Sequence, residues 1–296
     1  MTPVSRSTKA GQVYLHLQKR ARGDGVNTDQ LLIRYVLERF LYRITQTPWR
    51  ERLILKGAML LAVFDLRRST QDVDMAARAL EADAAEVGGW LGDVVAVVVD
   101  DGVRFDLSEL RTEPIREGDP YPGLRVHASA YVATAKVALK IDVNFGDPIV
   151  PEPELVDYPS LLDEPFPVLG YPLTAVLGEK IETMLRRGGA NTRDRDFADV
   201  ALLSRLHCVD GDELLSSLQA TARHRGTVLA PLAEALGSLV ENRERAWGPI
   251  RRRLGLESEL SADFADIVAE VLRFAGPVLT GEAAGLTWNP GTGSWA

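Results

Sequence analysis

The chain has 296 residues, 46% apolar and 26% charged, with a formal net charge of −8 and one cysteine, Cys208. This describes a folded protein with material for one large domain or two ordinary ones; it excludes a disulfide framework or a Cys-rich zinc site and argues against nonspecific coating of nucleic acid. The N-terminus lacks the apolar core of a signal peptide, and the most apolar short run, VVAVVV at 94–99, is too short to cross a bilayer, so a cytoplasmic protein without a membrane segment is expected.

Residues 27–46 keep apolar side chains at helical spacing (Leu31, Leu32, Tyr35, Val36, Phe40, Ile44), with Asn27 or Thr28 as cap. A short buried strand is predicted at 52–55, a helix from Gly57 to about residue 65, and a strand at 72–76. In that strand Val73 and Met75 take one face, and Asp72 and Asp74 the other. A helix is predicted at 79–91. β-branched runs then predict strands at Val94–Val99, Val103–Leu107, Leu124–Ala133 and Val137–Phe145. In the last, Val137, Leu139, Ile141, Val143 and Phe145 form a core face, while Lys140, Asp142 and Asn144 form a charged face that suits the wall of an active site. The proline-rich segment 148–172 predicts a domain boundary. Helices are expected at 173–187, 195–206, 211–224, 228–246 and 261–275, followed by a loosely ordered tail on which Trp288 and Trp295 could dock. The order predicts an α+β fold, with a mixed-sheet catalytic domain over 1–165 and a helical domain over 166–296.

Two carboxylates two residues apart on one strand face repel, and one would take up a proton unless a cation is shared. Mg²⁺ prefers such hard oxygen ligands, with waters and phosphate oxygens completing its shell. Asp142, on the polar face of another strand, is the expected third carboxylate, and three could hold two ions. A glycine at a strand-to-helix junction lets the backbone approach a phosphate, and a helix start favours anions. Arg67, Arg68 and Lys180 are expected to reach phosphates. Taken singly, each feature has an ordinary structural explanation: surface D-x-D pairs are common, Asp142 could pair with Lys140, and Asp196 and Asp199 could be helix-start acids. The four histidines are scattered, and no Walker A or nucleophile-elbow motif appears. Basic clusters near 9–22, 186–195 and 243–253 permit an RNA partner.

The ordered set of strand, Lys-Gly, helix, D-x-D and a later polar-face Asp resembles the nucleotidyltransferase superfamily with the DNA polymerase β-like fold. Lys56-Gly57-Ala58, Arg68-Ser69-Thr70-Gln71-Asp72-Val73-Asp74, a helix bearing Lys180, a loop with Arg193, and Arg195-Asp196 followed by Asp199 narrow this. Together they resemble the AbiEii family, the nucleotidyltransferase toxins of AbiE-type toxin–antitoxin pairs. The resemblance covers roughly 27–206. It implies Mg²⁺, an NTP, transfer to the 3′ acceptor end of tRNA with arrest of translation, and a cognate AbiEi-like antitoxin. It makes Asp72 and Asp74 metal ligands, joined by Asp142. Lys56, Gly57, Ala58, Arg68, Lys180 and Asp196 become nucleotide-binding residues, and Lys180 and Asp199 join the aspartate pair in catalysis. Ala58 replaces a frequent Ser, and Arg195 a frequent Lys. A phosphate at Thr70, two residues before Asp72, is expected to inhibit. The rivals are a small-molecule nucleotidyltransferase of the aminoglycoside type and a catalytically inactive binding protein.

Overall fold

The structure, a computed structural model, describes residues 4–115 and 123–296. The chain forms two compact units. The first takes Met1–Leu60, Thr70–Gly146 and Leu155–Gly170; the second takes Leu61–Ser69, Asp147–Glu154 and Tyr171–Ala296.

The first unit opens with α1 (Lys9–Asp24), capped by Thr8, a helix the sequence reading did not mark. Its buried residues Val13, Leu17 and Ala21 sit one turn apart, on a stripe diluted by basic side chains. Helix α2 (Thr28–Thr45) follows, capped by Asn27, with the expected apolar face buried. Two arginines and a carboxylate are buried beside it. Arg43 grips both oxygens of Asp101, Arg39 reaches Asp101 and Asp163, and Tyr35 donates to the Asp101 carbonyl. This closed ion set ties α2 to the loop at 101 and the segment at 163, and such a set tolerates burial because every member is paired.

Strand β1 (Leu53–Lys56) runs into α3 (Gly57–Leu60), whose continuation at Leu61–Phe64 is a 3₁₀ turn. Strand β2 (Val73–Ala77) precedes α4 (Ala84–Ala96), capped by Asp83. Here an expectation fails: VVAVVV does not form a strand, because Val94 completes the buried helical stripe of Val87, Trp90 and Leu91 and the helix runs to Ala96. Strands β3 (Val103–Pro114), β4 (Gly123–Val132) and β5 (Ala135–Phe145) follow, with β5 alternating as predicted. The proline-rich segment holds two strands, β6 (Glu154–Tyr158) and β7 (Phe166–Gly170). Among the described residues these form a seven-stranded mixed sheet in the order β3-β4-β5-β2-β1-β7-β6, with β2 parallel to β5 and antiparallel to β1.

The second unit is mainly helical. It comprises α5 (Leu173–Arg187), α6 (Asp194–Leu206), β8 (Val209–Asp210), α7 (Gly211–Arg225), α8 (Leu232–Leu236), α9 (Leu239–Leu254) and α10 (Phe264–Thr280), then β9 (Thr287–Asn289) and β10 (Ser294–Trp295). The single helix expected at 228–246 is two helices, broken at Gly237 with φ +47°. Gly178 lets α5 and α7 approach, since a Cβ there would meet Ser217 Oγ at 2.6 Å. The tail is docked rather than loose. Trp288 is buried, packs on Phe274 and donates to the Ser204 carbonyl at 2.6 Å, while β8, β9 and β10 form a small sheet.

Candidate functional site

Sheet register assembles the first cluster. Lys56 is the partner of Asp74 across β1 and β2, Asp74 of Asp142 across β2 and β5, and Asp142 of Arg125 across β5 and β4. Cross-strand partners project from the same face, so Lys56, Asp74, Asp142 and Arg125 form one row over four strands. Asp72 precedes β2 on the same side as Asp74; Val73 and Met75, with no exposed surface, point into the core behind them. The Thr70 hydroxyl donates to Asp72 Oδ1 at 2.9 Å.

Gly57 is required by geometry twice over. Its φ is +67°, a left-handed conformation that favours glycine, and a Cβ built on it would overlap the Asp74 carboxylate. The close approach seen at this turn is thus made by Asp74. Ala58 is buried at the start of α3.

Arg125 holds Asp142 through a double hydrogen bond, Nε to Oδ1 at 2.8 Å and Nη2 to Oδ2 at 2.7 Å. These bonds raise the guanidinium pKa above its ordinary value; partial burial opposes them, and the charges of Asp142 and Asp72 add to them. Among the described residues, no group of three or more His, Cys, Asp or Glu is gathered for a metal ion. Asp72 and Asp74 do fit a hard divalent cation. Their donors are all oxygen, they alternate on one partly exposed strand face, and the cradle holding Asp74 is one that a Cβ would fill.

The second unit carries its own cluster, which joins four of the predicted residues. Lys180 on α5 donates to Asp199 Oδ2 at 2.7 Å and to Asp196 Oδ1 at 3.1 Å. Asp196 and Asp199, three apart, share the face of α6 turned to α5. Arg68 holds both oxygens of Asp199, at 2.8 and 3.1 Å. Arg193 Nε lies 2.6 Å from Asp196 Oδ2, an ionic contact without hydrogen-bond alignment. Asp199 has no exposed surface and Asp196 has 1%. Burial alone would push the Asp196 carboxyl up, but the charges of Lys180, Arg193 and Arg195 and the Lys180 hydrogen bond hold it well below the usual carboxylate range. Arg195 is exposed.

Two partners escaped the sequence reading. Arg125 was findable: counting back along the hairpin from its closing pair, Val132 and Ala135, places Arg125 opposite Asp142. Asp194, clamped by Arg243 of α9, had no local signal, because a contact between α6 and α9 decides it.

The comparisons agree with this architecture. The model of the nucleotidyl transferase AbiEii toxin family, type IV toxin–antitoxin system, matches residues 39–275. Among solved structures, the chain is similar to MenT4, a nucleotidyltransferase toxin from Mycobacterium tuberculosis H37Rv, at 18% identity and TM-score 0.53, covering 92% of this chain and 98% of that one. A protein from H. pylori described as a nucleotidyltransferase matches at 14% identity and TM-score 0.53, covering 86% and 97%. At these identities the likeness is one of fold. No curated protein sequence matches. The family model spans most of the sequence, from within α2 to within α10, and the chain therefore belongs to the AbiEii family of nucleotidyltransferase toxins.

Proposed function

We propose that this chain transfers a nucleotidyl group from an NTP to the 3′ end of a tRNA, blocking translation, with Mg²⁺ held by Asp72 and Asp74 and a cognate antitoxin to restrain it. The observation that carries the reading is the seating of Asp74 in the place of a Gly57 Cβ, next to Asp72 on the same strand face. A turn that accepts only glycine, kept so that a carboxylate can sit against it, makes little sense as packing.

A bound divalent cation would neutralise charge on the triphosphate as it reacts. The chain's own groups bind and orient. Lys180 carries three ammonium protons; two reach Asp199 and Asp196, and the third is assigned to the triphosphate. Asp199 has both oxygens engaged and no exposed surface. It is therefore a positioning residue that fixes Lys180 and Arg68, and Asp196 supports it. Lys56 and the Gly57-Ala58 turn line the nucleotide beside Asp74. In the reaction the acceptor 3′ oxygen bonds to the α-phosphorus, the bond to the leaving pyrophosphate breaks, and the hydroxyl proton is lost to solvent. Positioning and charge neutralisation supply most of the rate.

The test is labelling of total tRNA by the purified protein with Mg²⁺ and each α-³²P NTP in turn, beside Asp72→Ala. Label on tRNA with one or two NTPs, lost in the variant, is the expected result. The net charge of −8 favours a second reading, transfer to a cationic small molecule. Absence of tRNA label with every NTP would move the assignment there.

A further inference from the structure

We propose that Arg125 holds Asp142 out of metal coordination, so that this chain binds one divalent cation on Asp72 and Asp74 instead of two on three carboxylates. The inference rests on the reading of Asp72 and Asp74 as metal ligands given above.

Three observations carry it. First, register puts Asp142 directly beside Asp74 on the same face, about 4.8 Å away in backbone terms. Its distance from metal coordination is therefore a matter of side-chain engagement. Second, that engagement uses both oxygens. Both Asp142 oxygens accept from the fork of Arg125, at 2.8 and 2.7 Å, from the register partner on the neighbouring strand. A planar guanidinium matched to both oxygens takes one lone pair of each and sets a fixed positive charge against the carboxylate, which disfavours a second cation there; this is the strongest pairing a carboxylate finds among side chains. Third, the pair is built into a hairpin. β4 and β5 pair without a slip from Gly123↔Asn144 to Val132↔Ala135, so Arg125 cannot leave Asp142 by a change of strand register. The Asp142 side chain is 12% exposed and that of Arg125 is 37%, so water does not compete strongly for the carboxylate.

The consequence is a row in which charges compensate without a second metal: Lys56 and Arg125 flank Asp74 and Asp142. Asp142 is answered by a resident guanidinium, and the ion is assigned to Asp72 and Asp74. Arg125 is a positioning and specificity-determining residue, and it sets how many ions the site takes.

The test is Mn²⁺ binding to the full-length protein, followed by loss of the free-ion EPR signal and by calorimetry, with circular dichroism to confirm folding. The wild type is expected to bind one ion, and Asp72→Asn to lose it. Arg125→Gln frees Asp142 and removes a nearby positive charge; it should tighten binding by on the order of tenfold and admit a second ion. Arg125→Lys, which keeps the charge, should retain one. The deciding variant is Arg125→Gln with Asp142→Asn, which replaces an ion pair by a neutral pair of similar shape and should bind one ion within about threefold of wild type, as expected for removal of a self-compensated pair. If the double variant loses affinity as Asp72→Asn does, Asp142 is a ligand and the inference is wrong while the metal reading stands. Unaltered binding by Asp72→Asn, or none by the wild type, would overturn the metal reading and this inference with it.

Discussion

Gly57 and Asp74 constrain one another, and the constraint can be measured as a coupling. Gly57→Ala faces two penalties: the left-handed backbone, about 1–2 kcal/mol, and collision with the Asp74 carboxylate. An Asp74→Ala background removes the carboxylate overlap and leaves the backbone penalty and the 2.7 Å approach of the residue-74 Cβ. The destabilisation by Gly57→Ala, read from denaturant midpoints, should therefore be larger in the wild type than in Asp74→Ala, and equal values would show that the contact is not formed. Transfer activity should be lost in both. Thr70 makes a milder case. Thr70→Val deletes the hydrogen bond to Asp72 Oδ1, a neutral-to-charged bond of about 1.5–3 kcal/mol at most. It should weaken Mn²⁺ affinity modestly and leave some activity. Thr70→Glu sets a third carboxylate beside the pair and should abolish transfer; an active Thr70→Glu would sink this assignment. Asp72 and Asp74 could be named from their alternation along one strand, whereas the roles of Lys180, Asp196 and Asp199 followed from the resemblance to the AbiEii family. Arg125 has no such local signal: it lies 17 residues from Asp142, and only a count along the hairpin register makes them neighbours.

At the level of elements, α5 and α6 are joined by charge as well as by apolar packing. Asp199 is buried with Lys180 and Arg68 as partners. Removing one member of such a set strands the others, which costs about 3–5 kcal/mol. Asp199→Ala should show that loss in urea unfolding together with loss of transfer. Lys180→Met is predicted to lose transfer by about 10²–10³-fold, the scale of a deleted electrostatic contact. Asp196 adds a pH signature. Its folded pKa lies below the usual range, against about 3.9 for an unfolded Asp. A lowered carboxylate pKa stabilises the fold fully above the unfolded value, and that stabilisation is lost as pH falls from about 4 toward the folded pKa. Asp196→Asn should therefore be less stable at neutral pH and show a shallower loss of stability below pH 4 in acid titrations followed by circular dichroism. Helices α2, α5, α6 and α7 were legible to within a residue or two because an apolar stripe at period 3.6 is a strong local signal. Strands β6 and β7 were not. The prolines at 159, 165 and 167 read as breaks, whereas Pro159 and Pro165 flank the strands and of the three Pro167 alone lies within one, β7. VVAVVV misled for the opposite reason: β-branched content outweighed the register of Val94 with Trp90 and Leu91.

Across the whole molecule, a net charge of −8 must be reconciled with the proposed RNA acceptor. Many of the arginines counted as basic clusters in the sequence are already engaged. Arg243 is spent on Asp194, Arg251 donates to the Leu260 carbonyl, and Arg186 pairs with Glu182. On α9 this leaves Arg245, Arg252 and Arg253 exposed, a small local patch within an acidic protein. The electrostatics of binding then follow from number more than from sign. If these three side chains contact phosphates of a folded RNA, log K should fall with log of salt concentration at a slope near −0.9 per contact, about −3 in all. Each Arg→Ala change should reduce the slope by about one and weaken binding evenly across tRNA sequences. A filter-binding series from 50 to 300 mM salt measures this directly, using Asp72→Ala protein so that transfer does not consume the substrate. A slope near zero would place the acceptor's contacts on uncharged surface and remove the α9 patch from the argument. A slope unchanged in Arg252→Ala and Arg253→Ala would move the contacts to the arginines at the start of α6, Arg193 and Arg195, where the same series with Arg195→Ala would find them.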